Sequence, residues 1–410
     1  MNKSNIVTGL DIGTNSIKCL VIQNKQNECE VLAYSEIPSF GLRKGIVEDK
    51  NIDQVSKNIQ LAINEVEREC NQKINSVYVN IGGSRIYVTP SDGIISVSRA
   101  DQRISKEDVD RVIQATKAVN LPGNYEVLDV IEREFVIDDQ RGIKQPLDLT
   151  GVRLEAKVLL LCIFSRDFLN VTQSVLNSKI QIGDVIPSPL AAANAVLTPQ
   201  QKELGTVLID LGAETTSLVV FEEGDLIHLA IFPIGSSHIT NDIAIGLKTE
   251  VSIAEEIKKQ HGTCIFEKDK KELIKDSTHR KIEIFDKSEQ LLFTKKDLVD
   301  IIEPRVSEIL DLVQKELKKI GKHKMLPGGV ILTGGGAKLP KIKELTKKTL
   351  ELNCEIGYPK NIVGIQKDSS LATVAGLALE GVDFDKEVSI LGFTRGWGLK
   401  IKKIFRIFIP

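Results

Sequence analysis

The sequence predicts an α/β protein made of two related halves, each built on a mixed β-sheet, with a small α+β insert in the first half. Apolar runs at residues 6–10, 205–210 and 329–333 have the length of buried strands. Each run leads into a turn of small residues, and the first two turns share one pattern about two hundred residues apart. The repeat indicates a duplicated, two-lobed fold around a central cleft.

The first two runs each end at an aspartate, Asp11 and Asp210. The turn residues that follow are Gly13, Thr14 and Asn15 in the first half and Gly212, Ala213, Glu214, Thr215 and Thr216 in the second. A second apolar run follows each turn, at 17–22 in the first half, where it includes Lys18, and at 218–221 in the second half. This pattern predicts a β-hairpin in each half. Such turns expose backbone N–H groups that bind anions. A carboxylate at each strand end suits a hydrated magnesium ion.

The third turn comprises Gly334, Gly335, Gly336 and Ala337, and a helical pattern follows it. Its small residues would let a flat base approach the backbone. One such turn alone would be an ordinary hairpin turn, but three in this order are hard to explain by chance. They predict a nucleotide clamped between the two halves, and they resemble the phosphate-one, phosphate-two and adenosine motifs of the actin-like ATPase superfamily.

Hydrophobic periodicity predicts the elements between these turns. The first half shows strands at 30–36 and 76–81 and helices at 53–70, 168–177 and 187–197. The small residues of 187–197 suit either a hinge between the halves or close packing in a core. The insert shows strands at 86–97, 127–136 and 152–163 and a helix at 105–119, whose Ser105 and Asp108 form a capping-box pattern. The second half shows a strand at 226–234 and helices at 238–247, 252–258, 295–319 and 371–379.

These elements give the expected domain organisation. It comprises a first-lobe core at 1–83 and 165–197, an inserted α+β subdomain at 84–164, a second-lobe core at 198–247 and 322–380, a second-lobe outer subdomain at 248–321, a linker at 381–395 and a tail at 396–410.

Composition excludes several functional classes. The net charge of −2 does not indicate a nucleic-acid-binding protein. The six cysteines are scattered without a C-x-x-C pair, which favours free thiols in a reducing cytoplasm over zinc or disulfides. The first apolar run leads straight into the first hairpin, so we expect no signal peptide. No run of eighteen apolar residues exists that would predict a membrane span.

Longer stretches resemble the bacterial FtsA cell-division family over residues 5–380. They are 203–212, 238–247, 301–306 and 330–337, with 142–144 and 151–155 in the insert. The resemblance implies an actin-like fold in which the insert replaces one subdomain. It also implies ATP and Mg²⁺ as ligands, self-assembly into a polymer, binding to the C-terminal peptide of the tubulin-like FtsZ, and contact with other division proteins. The location would be the cytoplasmic face of the inner membrane at the septum, as a peripheral protein.

Residue roles also follow from this resemblance. The first-turn residues and Lys18 would hold phosphates, and the second-turn residues would do the same and help to place the metal between Asp11 and Asp210. Residues 334–337 would contact the adenosine. Glu255 and Lys258 would reach the ribose or base, although an exposed helical ion pair explains them equally well.

The second turn departs from the D-x-G-G-G pattern that is usual in the family, because Ala213 and Glu214 replace glycines. Alanine disfavours positive φ, and a glutamate adds negative charge beside phosphate. Glu214 should therefore point away, or pair with Lys18 or the metal. We expect tight ATP binding with weak or absent hydrolysis.

Two alternative functions remain at this stage. A sugar-kinase-type phosphotransferase would need a catalytic base facing an acceptor pocket, and no single carboxylate suggests itself. A PilM-like pilus-assembly protein would share the insert but lack a C-terminal amphipathic segment.

The tail at 396–410 has the periodicity of an amphipathic helix. Its apolar face comprises Trp397, Ile401, Ile404, Phe405 and Phe408, and its basic face comprises Lys400, Lys402, Lys403 and Arg406. A helix of this length spans about 20 Å, against about 30 Å of hydrocarbon, so it can lie on a membrane but cannot cross it. We expect it to bind anionic lipid. We further expect the FtsZ peptide to bind within 248–320, near Arg305, Lys315, Lys318 and Lys319, unless these are simply a solvated face.

Overall fold

A computed structural model describes residues 6–25, 28–266, 281–286 and 289–389. In chain order the strands are β1 (Ile6–Ile12), β2 (Ser16–Lys25), β3 (Glu28–Pro38), β4 (Leu42–Arg43), β5 (Ile46–Val47), β6 (Ser76–Ile81), β7 (Ile86–Ser96), β8 (Tyr125–Ile137), β9 (Gln140–Ile143), β10 (Arg153–Phe164), β11 (Gln181–Pro187), β12 (Thr206–Leu211), β13 (Thr216–Glu222), β14 (Asp225–Phe232), β15 (Lys281–Asp286), β16 (Glu289–Thr294), β17 (Val330–Thr333), β18 (Cys354–Ile356) and β19 (Ile362–Val363).

The helices are α1 (Ile52–Cys70), α2 (Lys106–Thr116), α3 (Ser165–Asn177), α4 (Ser188–Val196), α5 (Pro199–Leu204), α6 (Ser236–Leu247), α7 (Val251–His261), α8 (Lys295–Lys319), α9 (Ile342–Leu350) and α10 (Ala372–Ser389). Within the described residues, no helix is both long enough and apolar enough to cross a bilayer.

The chain divides into two compact units. One contains the chain up to Ser84 together with Ser174–Val382, and the other contains Arg85–Gln173. The first unit holds two sheets, and both have the same strand order. The strands of one run β11-β6-β1-β2-β3 with β19 at the edge, and those of the other run β18-β17-β12-β13-β14. The predicted duplication is therefore confirmed.

The two sheets also share their strand directions. In each, the first three strands of the half pair antiparallel, and two later strands join in parallel on the side of the first strand. The edge strand β19 pairs in parallel with β3. The first hairpin places Asp11 opposite Lys18, and the second places Asp210 opposite Ser217. In each sheet, the hairpin turn that follows the first strand lies at the edge where the parallel strands have their carboxyl ends.

Helices cover the second sheet. The buried faces of α6, α7, α8 and α9 pack with β12, β13 and β17 into one apolar cluster. The long helix α8 begins and ends as the sequence predicts, at Lys295 and Lys319. Its N-cap, Thr294, accepts a hydrogen bond from the backbone N–H of Asp297, which completes a capping box. The hairpin of β15 and β16, which precedes α8, is not predicted by the sequence pattern.

Helix α10 differs from the prediction in length and in place. We expected it to end at residue 379 and a linker to follow at 381–395, but the helix continues to Ser389. Gly381, the first residue of the expected linker, lies inside the helix, where a Cβ atom would come within 2.3 Å of Val7 and 2.4 Å of Tyr78. The helix also packs against β1 at Gly9. Thus α10 contacts the first sheet instead of simply closing the second half.

Helix α4 explains the small-residue run at 187–197. Its alanines are buried, and it contacts β12 and β13. It also meets α10 backbone to backbone, because a Cβ atom on Gly376 would lie 1.7 Å from the carbonyl oxygen of Ala191. Close packing is therefore the observed role of the small residues. Residues 390–395 and the tail 396–410, with all of its predicted membrane-facing residues, lie outside the described residues.

The unit of residues 85–173 is an α+β fold. Its sheet has the order β7-β10-β8-β9, and α2 packs on it through Val112 and Thr116. The predicted capping box is confirmed, since the backbone N–H of Asp108 donates to Ser105 Oγ at 3.2 Å and its carboxylate accepts from the Ser105 N–H at 3.1 Å. The short strand β9 is not predicted by the sequence.

Candidate functional site

A cavity of about 550 Å³ lies in the first unit where the three predicted turns meet. This volume is typical of a site for a small organic ligand. Most of the predicted site residues line it, namely Asp11, Gly13, Thr14, Asn15, Lys18, Asp210, Gly212, Ala213, Thr215, Glu255, Lys258, Gly334, Gly335 and Gly336. Glu214, Thr216 and Ala337 are not among the lining residues.

The two hairpin turns have equivalent backbone geometry. The N–H of Gly13 donates to the carbonyl of Ser16 at 3.1 Å, and the N–H of Gly212 donates to the carbonyl of Thr215 at 2.9 Å. A Cβ atom on either glycine would lie 2.9 or 3.0 Å from that same carbonyl oxygen. Glycine is therefore needed at both positions to close the turn. The sequence repeat thus corresponds to a structural repeat at the site.

Asparagine 80 holds the first carboxylate in place. Its Nδ2 donates to Asp11 Oδ1 at 2.8 Å and to Ser188 Oγ at 3.0 Å, and its Oδ1 accepts from the N–H of Ile12 at 2.6 Å. Burial raises the pKa of Asp11, and the positive charge of Lys18 partly offsets this effect. Asn80 is the penultimate residue of β6, the parallel neighbour of β1, and sequence reasoning did not identify it.

The second carboxylate shares the cavity with the first. Burial, together with the negative charge of Asp11, raises the pKa of Asp210 to about 6. Thr373 Oγ1 lies 3.4 Å from Asp210 Oδ2. Two carboxylates whose negative charges repel each other favour binding of a cation between them. Among the described residues no group of three or more His, Cys, Asp or Glu side chains could hold a metal ion. Two carboxylates fit a hydrated Mg²⁺ that takes its remaining ligands from phosphate and water.

Lys18 supplies positive charge on the first-half side of the cavity. Its Nζ is 4.0 Å from Asp11 Oδ2 and 3.9 Å from Glu36 Oε1. Glu36 also accepts from Ser16 Oγ at 2.7 Å and from Tyr34 Oη at 3.0 Å, and these groups hold its pKa below the usual range despite burial. Glu36 lines the cavity and was missed from the sequence. The signal lies in strand register, because β2 and β3 place Lys18 directly opposite Glu36.

Glu255 and Lys258 form an ion pair that lines the cavity. Lys258 Nζ is 2.6 Å from Glu255 Oε2 and donates to Thr240 Oγ1 at 2.8 Å and to the carbonyl of Ser236 at 3.2 Å. Thr240 Oγ1 donates in turn to Glu255 Oε2 at 2.5 Å. The lysine side chain is only 11% exposed. The pair is therefore a hydrogen-bonded network at the cavity wall, with a buried lysine and a half-buried glutamate, and not an exposed helical pair.

The glycine-rich turn after β17 is held against the second carboxylate. Gly334 has φ of +86°, and a Cβ atom there would lie 2.2 Å from Asp210 Oδ1. Its N–H donates to the carbonyl of Ser369 at 3.1 Å, and Ser369 Oγ donates back to its carbonyl at 2.9 Å. Ala337 lies behind this turn in the apolar cluster, which is why it does not line the cavity.

Comparison with known proteins identifies the family. The family model described as cell division protein FtsA matches residues 207–376, and the model described as the SHS2 domain inserted in FtsA matches residues 83–162. The chain is 33% identical to the cell division protein FtsA of Pseudomonas aeruginosa over 381 residues, which cover 92% of this chain and 89% of that protein. This chain belongs to the FtsA family. It is also 33% identical to the FtsA of Bacillus subtilis over 377 residues, covering 92% and 83%.

Solved structures agree with the actin-like fold. The structure of the PilM-PilN type IV pilus biogenesis complex matches with a TM-score of 0.65 at 18% identity, covering 92% of this chain and 98% of that one. MreB5 of Spiroplasma citri bound to ADP matches with a TM-score of 0.56 at 13% identity, covering 94% and 99%. At these identities the likeness concerns the fold alone. The FtsA relatives at 33% identity decide the family.

This FtsA-family chain accommodates the two substitutions in its second turn. Ala213 is not among the residues with positive φ, so the alanine is not strained there. Glu214 points away from the cavity, as one of our two interpretations expected, and its Oε2 accepts from the backbone N–H of Lys44 at 2.5 Å. The pairing of Glu214 with Lys18 is therefore not observed.

Two further predictions about this FtsA-family chain need correction. Thr216 begins β13 and is fully buried, and its Oγ1 donates to the carbonyl of Ile234 at 2.7 Å, so it faces the core and not the cavity. Arg305 does not offer a free guanidinium to a peptide. It binds both carboxylate oxygens of Asp242, at 2.6 and 2.9 Å, and also contacts Glu308.

Proposed function

We propose that this chain binds ATP with Mg²⁺ in the cavity between its two duplicated sheets. The observation that carries the proposal is the pair of equivalent glycine turns, each beside an aspartate, that face one cavity. Their backbone N–H groups and Lys18 would hold the phosphates, and Asp11 and Asp210 would hold the ion through its water ligands. The glycine turn at 334–336 and the Glu255–Lys258 pair would contact the nucleoside. The fold neighbour MreB5, which was solved with ADP, supports a nucleotide as the ligand.

We further propose that turnover is slow. Hydrolysis needs a group that orients the attacking water. Of the four carboxylates that line the described cavity, Asp11 and Asp210 are assigned here to the ion, and Glu36 and Glu255 lie beside Lys18 and Lys258, so none of the four stands out as the group that would orient water. The protein would therefore use ATP mainly as a bound ligand that joins its halves.

Calorimetric titration with ATP and Mg²⁺ tests the binding. Asp210→Ala should weaken binding strongly, because the ion loses one of its two carboxylates, whereas Asp53→Ala, a change at an exposed aspartate of α1, should leave it intact. Phosphate release measured under the same conditions tests the slow turnover. Unchanged affinity in the Asp210 variant would contradict the site, and rapid steady release by the unaltered protein would contradict slow turnover.

The sequence of the tail supports membrane attachment. The four basic residues among 400–406 would each contribute about 1 kcal/mol near anionic lipid, and the apolar face would add a partial burial term. One tail should bind reversibly. Self-assembly of the chain into a polymer would multiply the tails and so make attachment firm. A chain lacking 396–410 should keep its nucleotide affinity but fail to float with anionic vesicles, and Phe405→Glu should behave similarly. Flotation of the truncated chain would show that another segment is the anchor.

Family membership supports a role in tethering FtsZ filaments and in recruiting other division proteins to the septum. We propose that the acidic C-terminal peptide of FtsZ binds the outer subdomain at 248–321. Arg305 of α8 forms an ion pair with Asp242 of α6, so reversing the charge of Arg305 would disturb the contact between the two helices. The exposed Lys315 is therefore the better position for a charge reversal. Fluorescence anisotropy with a labelled peptide should show weaker binding for Lys315→Glu and no change for Lys57→Glu, which reverses an exposed lysine of α1. Equal binding by both variants would exclude this surface of α8.

A further inference from the structure

The short hairpin of β4 and β5 has a two-residue turn at Lys44 and Gly45. Both residues have positive φ, 51° and 74°, which is the pattern of a type I′ turn. Such a turn directs two successive backbone N–H groups outward from its tip. In this chain Gly45, at the tip, is one of the residues that line the cavity. It lies beside the two glycine turns at 13–15 and 212–215, which we call the phosphate end of the cavity.

The base of this hairpin is fixed to the first half. The side chain of Asn51, at the start of α1, donates through Nδ2 to the carbonyl of Gly41 at 3.3 Å. On the other side, Ile46 packs against the glycine turn after β6, because a Cβ atom on Gly83 would lie 2.6 Å from Ile46 Cγ1. The hairpin therefore moves with the first sheet.

The tip of the hairpin contacts both phosphate turns at once. The N–H of Gly45 donates to Thr14 Oγ1 of the first turn at 3.2 Å, and the N–H of Lys44 donates to Glu214 Oε2 of the second turn at 2.5 Å. Gly45 also packs against Thr215, because a Cβ atom on the glycine would lie 3.2 Å from Thr215 Cγ2. Among these contacts, the two with Glu214 and Thr215 join the hairpin to the second half.

We propose that Glu214 is a positioning residue that fastens the β4–β5 hairpin across the phosphate end of the cleft and slows the exit of a bound nucleotide. This inference rests on the proposed nucleotide binding. The two halves must separate for a nucleotide to leave, and separation breaks the charge-assisted hydrogen bond between Glu214 and Lys44. The same bond keeps the carboxylate outside the cavity, where it does not repel phosphate.

The exit rate tests the proposal. The full chain is loaded with a fluorescent ATP analogue and Mg²⁺, and release is followed by stopped flow after excess ATP is added. Glu214→Ala should release the analogue about 5- to 10-fold faster, which corresponds to about 1–1.4 kcal/mol. Glu214→Gln keeps an oxygen acceptor for the Lys44 N–H and should stay within about 2-fold of the unaltered chain. Glu256→Ala, at an exposed glutamate of α7, controls for loss of charge.

Hydrogen exchange of the nucleotide-free chain provides a second readout that does not depend on binding. The peptide covering residues 42–47 should exchange faster in Glu214→Ala, and Glu214→Gln should restore its protection. Unchanged exchange in the alanine variant would overturn the hairpin contact. Faster exchange with an unchanged release rate would overturn its role in nucleotide exit. If the unaltered chain binds no analogue, the proposed function fails, and the role in exit fails with it even where the exchange data show the contact.

Discussion

Replacing Asp210 with asparagine should make the nucleotide-free protein more stable while weakening its binding of Mg²⁺-ATP. The carboxyl faces the same cavity as Asp11, and burial together with the charge of Asp11 raises its pKa from 3.8 to about 6. At neutral pH the ionised group therefore destabilises the folded chain. Asparagine removes the charge and keeps the shape and an oxygen acceptor for Thr373.

The size of the effect follows from the pKa shift. A rise from 3.8 to about 6 corresponds to at most about 3 kcal/mol at 1.36 kcal/mol per unit. Asp210 is partly exposed to the water of the cavity, so we expect a gain of about 1–2 kcal/mol. At about 2.1 cal/mol/K of unfolding entropy per residue, this gain should raise the melting temperature of the 410-residue chain by about 1–2 °C.

The gain should depend on pH in a defined direction. Because the folded-state pKa of this acid lies above its unfolded value, the folded chain binds more protons between pH 3.8 and about 6. Stability is therefore lost as pH rises through this window, and the whole penalty is present above it. About half of the penalty remains at pH 5. The melting temperature of Asp210→Asn should exceed that of the unaltered chain more at pH 7.5 than at pH 5.

Differential scanning fluorimetry at both pH values, with and without Mg²⁺-ATP, measures all of these quantities. Bound ligand at one hundred times its Kd should stabilise the unaltered chain by about 2.7 kcal/mol, and the variant should gain much less. Asp53→Asn makes the same chemical change at an exposed position and should show neither effect. A variant that melts at or below the unaltered chain at pH 7.5, or that gains equally at both pH values, would refute the reasoning.

Three further predictions concern the turns and the cavity wall. Alanine at Gly13 or at Gly212 should weaken nucleotide affinity by similar factors of about tenfold in calorimetry, because each Cβ atom would meet a carbonyl oxygen at 2.9 or 3.0 Å; full tolerance at one position would disprove the equivalence of the turns. Asn80→Ala should lower the affinity for Mg²⁺-ATP more than that for ATP without metal, because Asp11 loses its hydrogen bond. Lys258→Met should lower the free energy of unfolding in urea by about 1 kcal/mol, because half-buried Glu255 loses its closest cation but keeps Thr240 and Lys259 as partners; an unchanged urea midpoint would contradict this.

Local sequence signals were sufficient to predict the duplicated fold. An apolar strand, an aspartate and a glycine turn lie next to one another in the chain, so their pattern can be read without knowing the tertiary structure. The same holds for the capping box at Ser105, which is confirmed. The cavity residues that were missed come from other strands. Asn80 reaches Asp11 only because β6 lies beside β1, and Glu36 faces Lys18 only through the register of β2 and β3.

Glycine was the residue most easily misinterpreted. Gly381 lies where the expected linker begins, and glycine usually weakens a helix. In α10 it is required instead by close contact with Val7 and Tyr78, and such contacts cannot be seen in the sequence of the helix itself. Glu214 shows a similar limit. The sequence suggested that its carboxylate either points away or pairs with Lys18 or the metal, and it did not identify the observed partner, the N–H of Lys44, which is 170 residues away.

The duplicated site is symmetric in its backbone and asymmetric in its charge. Strand register places Lys18 opposite Asp11 in the first half and Ser217 opposite Asp210 in the second. The first aspartate therefore has a cation of its own, and Lys18 opposes the effect of burial on its pKa. The second aspartate has no cation at the matching position and also experiences the charge of the first. A bound Mg²⁺ would relieve this repulsion most at Asp210, which is why replacement of that residue should separate the stability of the empty protein from its affinity for the metal–nucleotide complex.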